Sequence, residues 1–193
     1  MTGRLEEAEE NLRMAANHFA EFHVDQEGLM RDERKRLYIR ILKDIGEVLL
    51  QKGSTDAAIE LLRHILDSQT ETLGESHPTI LTTKLNLGRA YTAKSQFTLA
   101  QGLLGQVITT YTEWWGQNNI DTMRAVDELA FILMKEGEQK QSDGISASWE
   151  FQSAEGLWDQ MVLGFYTNLY GDSSDMACQV RSNIQYLRSI MRI

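Results

Sequence analysis

One cysteine and one proline are all that 193 residues hold of the two types that most sharply constrain a chain. A lone cysteine, Cys178, excludes an intramolecular disulfide and a cysteine-based zinc site, and reads as a small buried apolar group. A lone proline, Pro78, against fourteen glycines points to helices joined by short turns, because proline is poorly tolerated inside helices. Short, evenly spaced β-branched runs are missing, which argues against an all-β fold. Cations are also scarce. Nineteen Lys and Arg face 28 Asp and Glu, and a net charge of −9 leaves no basic footprint for nucleic acid. No run approaches the roughly eighteen apolar residues of a membrane span, and the opening MTGRLEEAEE lacks the apolar stretch of a signal peptide. The expected address is the cytoplasm, with no membrane partner. Phosphate-loop, zinc-protease and nucleophile-elbow motifs are absent. Of the four histidines, His18 and His23 are five apart and off a shared helical face. No metal, cofactor or catalytic residue is expected.

What the sequence does have is a period. A large apolar residue followed by glycine occurs at Leu73-Gly74 and again 42 residues later at Trp115-Gly116. Tyr170-Gly171 follows at 55, which is 42 with an insertion of 13. Inside the units, Asn86, Leu87 and Tyr91 align with Glu128, Leu129 and Leu133, and with Asn183, Ile184 and Arg188. Ala58, Leu61 and Leu62 align with Ala100, Leu103 and Leu104. TILTTKLNLGRAYTA and FTLAQGLLGQVITTYTEWW each carry apolar residues at helical spacing, with KSQ as a tight turn between them. Each unit is therefore a pair of amphipathic helices. Pro78 sits where its missing N–H costs nothing, in the first turn of a helix capped by Ser76 or His77. Gly74, Gly116 and Gly171 close the second helices in the left-handed conformation.

These residues carry a family likeness. LG-x-x-HP, NL-G-x-x-Y and F-x-x-A-Q-x-L at a 42-residue period resemble the tetratricopeptide repeat, in its longer kinesin-light-chain variety. The resemblance implies an all-α fold: a right-handed superhelical stack of antiparallel helix pairs, about eight helices in one domain over residues 1–193. The layout is a half repeat at 4–22, repeats at about 32–73, 75–115 and 117–170, and a capping helix at about 173–192. The third repeat would hold a polar, mobile surface loop at 137–148. The four tryptophans Trp114, Trp115, Trp149 and Trp158 read as core. The chain opens in mid-repeat, as a piece of a longer array would.

The resemblance also implies a function. First helices of such arrays line a concave groove that holds peptides, and residues three and four apart on each helix share the groove face. Those columns hold Arg40, Lys43 and Glu47; Thr82, Leu85, Asn86 and Arg89; Arg124, Asp127 and Phe131; and Gln179, Ser182 and Tyr186. The family's paired asparagines occur singly, as Asn86 and Asn183. Four cations in an acidic chain point to an acidic peptide, with arginine able to grip carboxylates in a fork. Pairing of the same cations with neighbouring carboxylates is the plainer reading. The expectation is a non-enzymatic scaffold binding a protein segment, within a larger multidomain signalling protein. The alternatives are a repeat-built enzyme or ligand sensor, and an oligomerisation domain pairing through the open first helix.

Overall fold

The computed structural model describes residues 44–73 and 77–191, with residues 6, 7, 10, 13, 14 and 41 before them. Among these there is no strand. Helix occupies 44–51, then α1 (Thr55–Leu73), α2 (Pro78–Ala93), α3 (Phe97–Trp115) and α4 (Ile120–Ser142). A continuous rod follows, made of α5 (Ser148–Leu157), a π-helical segment (Trp158–Val162) and α6 (Leu163–Tyr170). α7 (Asp175–Met191) comes last. Contacts divide the chain into two compact units, Met1–Lys94 and Ser95–Ile193. The expected half repeat at 4–22 and the first helix of the next repeat lie largely outside the described residues.

In the first unit, Ile41, Ile45 and Leu49 pack on Ala58 of α1. α2 packs against α1 and buries Ile80, Leu81, Leu87 and Ala90. One buried polar bond joins them, from the Thr83 hydroxyl to Gln69 Oε1 at 2.9 Å. α2 starts as its sequence dictates. Pro78 takes the first turn, and the His77 imidazole accepts from the Thr79 amide at 3.3 Å. At the matching place 42 residues on, Asn119 caps α4 by accepting from the Asp121 amide at 2.8 Å.

In the second unit α3 packs on α4, α4 on α5, and α7 on the α5–α6 rod. α7 buries Ala177, Val180, Ile184 and Leu187, a stripe at helical spacing, against a core centred on Trp158, Val162, Ala154 and Phe151. Of the four tryptophans only Trp158 is buried. Trp114, Trp115 and Trp149 are 38 %, 45 % and 64 % exposed. Trp114 and Trp115 sit in the last turn of α3 and Trp149 in the first turn of α5, where a helix end outruns the layer it packs on. Cys178 is exposed too, because it lies one position off the apolar stripe of α7.

The expected loop at 137–148 is mostly helix. α4 runs to Ser142, seven residues longer than α2. The second rod, 148–170, is four residues longer than α3, and only 143–147 forms the turn, two residues more than the 94–96 turn. The thirteen inserted residues thus lengthen both helices of one hairpin. Three contacts hold the extension. Lys140 Nζ reaches Glu150 at 2.6 Å and Glu136 at 2.8 Å, and Phe151 packs over Gly137. The Lys140 ammonium holds the buried Glu150 carboxyl below its usual range.

The closing glycines have positive φ, but not the left-handed helical values expected. Gly116 has φ 83° and ψ 168°, and Gly171 φ 91° and ψ 159°, an extended region open essentially to glycine alone. Gly74 lies outside the described residues. Gly144, in the 143–147 turn, also has positive φ, at 72°. Ser95 is the one positive-φ residue other than glycine among those described, at 57°. That conformation opposes an L-residue by about 1–2 kcal/mol, against a glycine entropy cost of roughly 0.5–1 kcal/mol. Ser95→Gly should therefore raise stability by up to about 1 kcal/mol and Ser95→Ala should not, as thermal unfolding will show.

Candidate functional site

The expected groove residues fall into three groups. Arg40 and Lys43 lie outside the described residues. On α2, Thr82 and Leu85 are half-buried and Arg89 is exposed. Asn86 turns inward. It is buried, and its amide donates to Glu47 Oε1 at 3.0 Å, joining α2 to the helix at 44–51.

The third group lies on α4 and α7 within one unit. Phe131 and Tyr186 are 39 % and 44 % exposed. They stand 55 residues apart, at the same place in successive first helices. Two residues not singled out in the sequence connect them. Lys135 lies one turn beyond Phe131, with its ammonium 5.5 Å from the ring centroid, and pairs with Glu138 at 2.8 Å. The Glu138 carboxylate raises the pKa of the Tyr186 phenol. The sequence signal was the spacing: Phe131, Lys135 and Glu138 share a helical face. Arg124 is exposed, 3.5 Å from Asp121 one turn earlier. Ser182 donates to the Cys178 carbonyl of its own helix at 3.0 Å, and Gln179 donates to Asn183.

Asp127 faces the core instead. Its carboxylate accepts from Trp158 Nε1 at 2.7 Å and lies 3.4 Å from the Tyr166 hydroxyl. Burial raises its pKa, with Glu128 adding to the rise, while the indole bond opposes it. Burial and the same carboxylate push the Tyr166 phenol well above its usual range. This trio belongs to the packing of α4 on the α5–α6 rod.

An open groove of about 540 Å³ lies between the start of α3, α4 and the α5–π rod. Leu129, Leu133, Leu157 and Met161 line it, with Trp149 and Gln160 beside them. No ionisable side chain is among its lining.

Residues 37–113 match the family model described as tetratricopeptide repeat. That stretch of the chain, residues 37–113, carries the tetratricopeptide-repeat pattern. Solved repeat structures have the same fold. Two crystal structures of a Podosopora anserina protein with kinesin light chain nearly identical TPR-like repeats superpose with TM-scores of 0.68 and 0.67. They are 20 % identical, over 97 % of this chain and 79 % of that one. BtubC (BKLC) from P. vanneervenii gives a TM-score of 0.71 at 15 % identity, over 97 % of this chain and 66 % of that one. A 64-residue stretch is 36 % identical to the RxLR effector protein SFI4 of Phytophthora infestans, covering 33 % of this chain and 19 % of that protein's length. In repeat terms, Phe131 and Tyr186 hold one position of successive first helices, and Arg89 holds it in the repeat before.

Proposed function

We propose that this chain is a non-enzymatic scaffold that holds a segment of a partner protein on the exposed faces of its first helices. The observation that carries the reading is the Phe131–Tyr186 pair, two exposed aromatics at one repeat position, with Lys135 and Glu138 between them. Aromatic side chains are enriched in protein interfaces relative to the rest of the surface. Arg124 and Lys135, both on α4, favour an acidic segment. Each exposed pair would add only about 0–1 kcal/mol, so the charges select the partner and the rings hold it. Binding would weaken with salt without vanishing.

The test is capture of partners from an extract by wild type, by Phe131→Ala with Tyr186→Ala, and by Arg124→Glu with Lys135→Glu. Loss of the aromatic pair should lower recovery of the main partner about tenfold or more. The charge reversal should weaken binding less and flatten its salt dependence. A partner retained equally by all three proteins rules out the first-helix face.

A further inference from the structure

We propose that the groove between α3, α4 and the α5–α6 rod binds an uncharged, mainly apolar small molecule that carries an aromatic ring. The groove forms because α3 and the rod each pack on α4 rather than closely on each other, which leaves α4 as its floor. Leu129 and Leu133 supply that floor, and Leu157 and Met161 line it from the rod. Leu129 and Leu133 are each two residues from Phe131. At about 3.6 residues per turn that is nearly the opposite side of α4, so the groove is separate from the first-helix face. Two departures from the regular repeat meet here. The lengthened hairpin adds Trp149, 64 % exposed, to the lining. Gln160 and Met161 belong to the π-helical segment, at a level where α3 is plain α-helix. Such π-helical turns are rare and are frequent at functional sites.

Size and charge name the occupant. A volume of about 540 Å³ falls inside the range of roughly 300–1,000 Å³ for small-molecule sites. Nine residues line the groove, against about 20–30 a side in a stable protein interface. It is sized for a small molecule and not for a protein surface. No ionisable side chain is among the nine, so a charged group would lose water there and gain no partner. Polarity comes from neutral groups. Gln101 Nε2 donates to Glu136 at 2.6 Å, which leaves its amide carbonyl to accept, and exposed Gln160 offers a second amide. The Trp149 indole offers a face to a ring. Space is kept by small residues. Ser153 stands where α3 carries the exposed Leu99, 54 residues earlier, and a side chain at Gly156 would meet nothing within 4 Å.

The probe is N-phenylnaphthylamine, a neutral dye whose emission rises in apolar surroundings. It is titrated against the whole chain beside its charged counterpart, anilinonaphthalene sulfonate. Salt at about 0.5 M screens the chain's overall negative charge. The neutral dye should bind saturably at one site, and the sulfonate at least about tenfold more weakly. Ser153→Leu copies the residue that α3 carries at the matching place and fills the groove, so affinity should fall about tenfold or more. Trp149→Ala should cost about three- to tenfold. Leu169→Ser removes an exposed leucine of α6 that lies outside the groove and should leave affinity unchanged. General adsorption to apolar surface predicts the opposite for Ser153→Leu, because that change adds apolar surface. Circular dichroism verifies that helix content is kept in all three variants. The proposal is overturned by no saturable binding of the neutral dye, by equal affinity for the two dyes, or by Ser153→Leu or Trp149→Ala binding as well as wild type. A loss in Leu169→Ser as large as in Ser153→Leu overturns it too. Failure here leaves the Phe131–Tyr186 reading intact, since that face is probed by other variants.

Discussion

Gly137→Ala should destabilise the protein by about 2–3 kcal/mol, although alanine is ordinarily the better helix residue by about 1 kcal/mol. Gly137 lies inside α4, in the part that extends beyond the usual repeat. A methyl group there would overlap Phe151 Cε1 and stand 2.7 Å from Cδ1. Phe151 cannot swing away. It is buried among the residues of α5, and the neighbouring Glu150 is tied to Lys140 across the same hairpin. The overlap must therefore be relieved by moving the two helices apart, which opens the core around Ala147 and Ala154. Gly105→Ala is the internal comparison. Its methyl would meet nothing within 4 Å, in the middle of α3, so this substitution should stabilise by about 1 kcal/mol. Urea unfolding of both variants will give opposite signs. In Gly137→Ala with Phe151→Leu the two losses should be much less than additive, because the smaller side chain removes the overlap. Destabilisation by Gly105→Ala of the same size would mean that contact with Phe151 is not the cause.

The period, the helix pairs and the first-turn proline were legible because each has a local cause. Pro78, capping residues and apolar stripes act within a turn or two of chain. The thirteen-residue insertion was misread because polarity was taken to mean loop. EGEQKQS is polar and contains no proline, so it continues a solvated helix as readily as it leaves one. A stronger signal lay in FQSAEGLW, Phe151 to Trp158, which repeats FTLAQGLL, Phe97 to Leu104. That match places the second helix of the long repeat and shows where the insertion ends. It also explains the π-helical segment. Ala100 and Leu104 correspond to Ala154 and Trp158 at a spacing of 54, whereas Val107 and Tyr111 correspond to Val162 and Tyr166 at 55. One residue therefore enters between Trp158 and Val162, where the helix widens to take it. All these positions but one face the core in both helices, with Phe151 buried where Phe97 is half-buried.

Side-chain fates at the candidate site were less legible. Helical spacing put Phe131, Tyr186 and Arg124 on exposed faces, and they are exposed. The same spacing put Asp127 and Asn86 beside them. Both point instead to a neighbouring helix, Asp127 to Trp158 and Asn86 to Glu47. A polar residue one position off the exposed column sits at the boundary between faces, and a partner on the next helix decides which way it turns. Those partners are 31 and 39 residues away in sequence, beyond any local pattern. The exposed tryptophans have a related origin. Residue type suggested burial, while position at a helix end decided exposure.

Trp158→Ala should be among the most damaging single changes, at about 3–5 kcal/mol, because it empties the centre of the second unit's core. Trp158 has no exposed surface and touches α4 through its indole N–H on Asp127. Trp158→Phe separates the two roles. It keeps most of the apolar volume but removes the donor, leaving a half-buried carboxylate with only the Tyr166 hydroxyl at 3.4 Å. A lost bond to a charged group costs about 1.5–3 kcal/mol. Asp127→Asn has the opposite expectation. Burial raises the Asp127 pKa above its ordinary 3.8 in the folded chain, so folding opposes ionisation there. The sign follows from linkage. Between the unfolded and the folded pKa the native chain holds more protons, so this group's contribution to stability falls as pH rises through that window and is constant above it. Asparagine accepts from the indole without that cost. The stability of Asp127→Asn relative to wild type should therefore improve between pH 4 and pH 7. Trp158→Phe should widen this effect, since the opposing indole bond is gone. Urea titrations at pH 4, 5.5 and 7 on wild type, both single variants and the double variant supply the cycle. If wild type instead gains on Asp127→Asn as pH rises, the indole bond outweighs burial and Asp127 is a carboxylate held by Trp158.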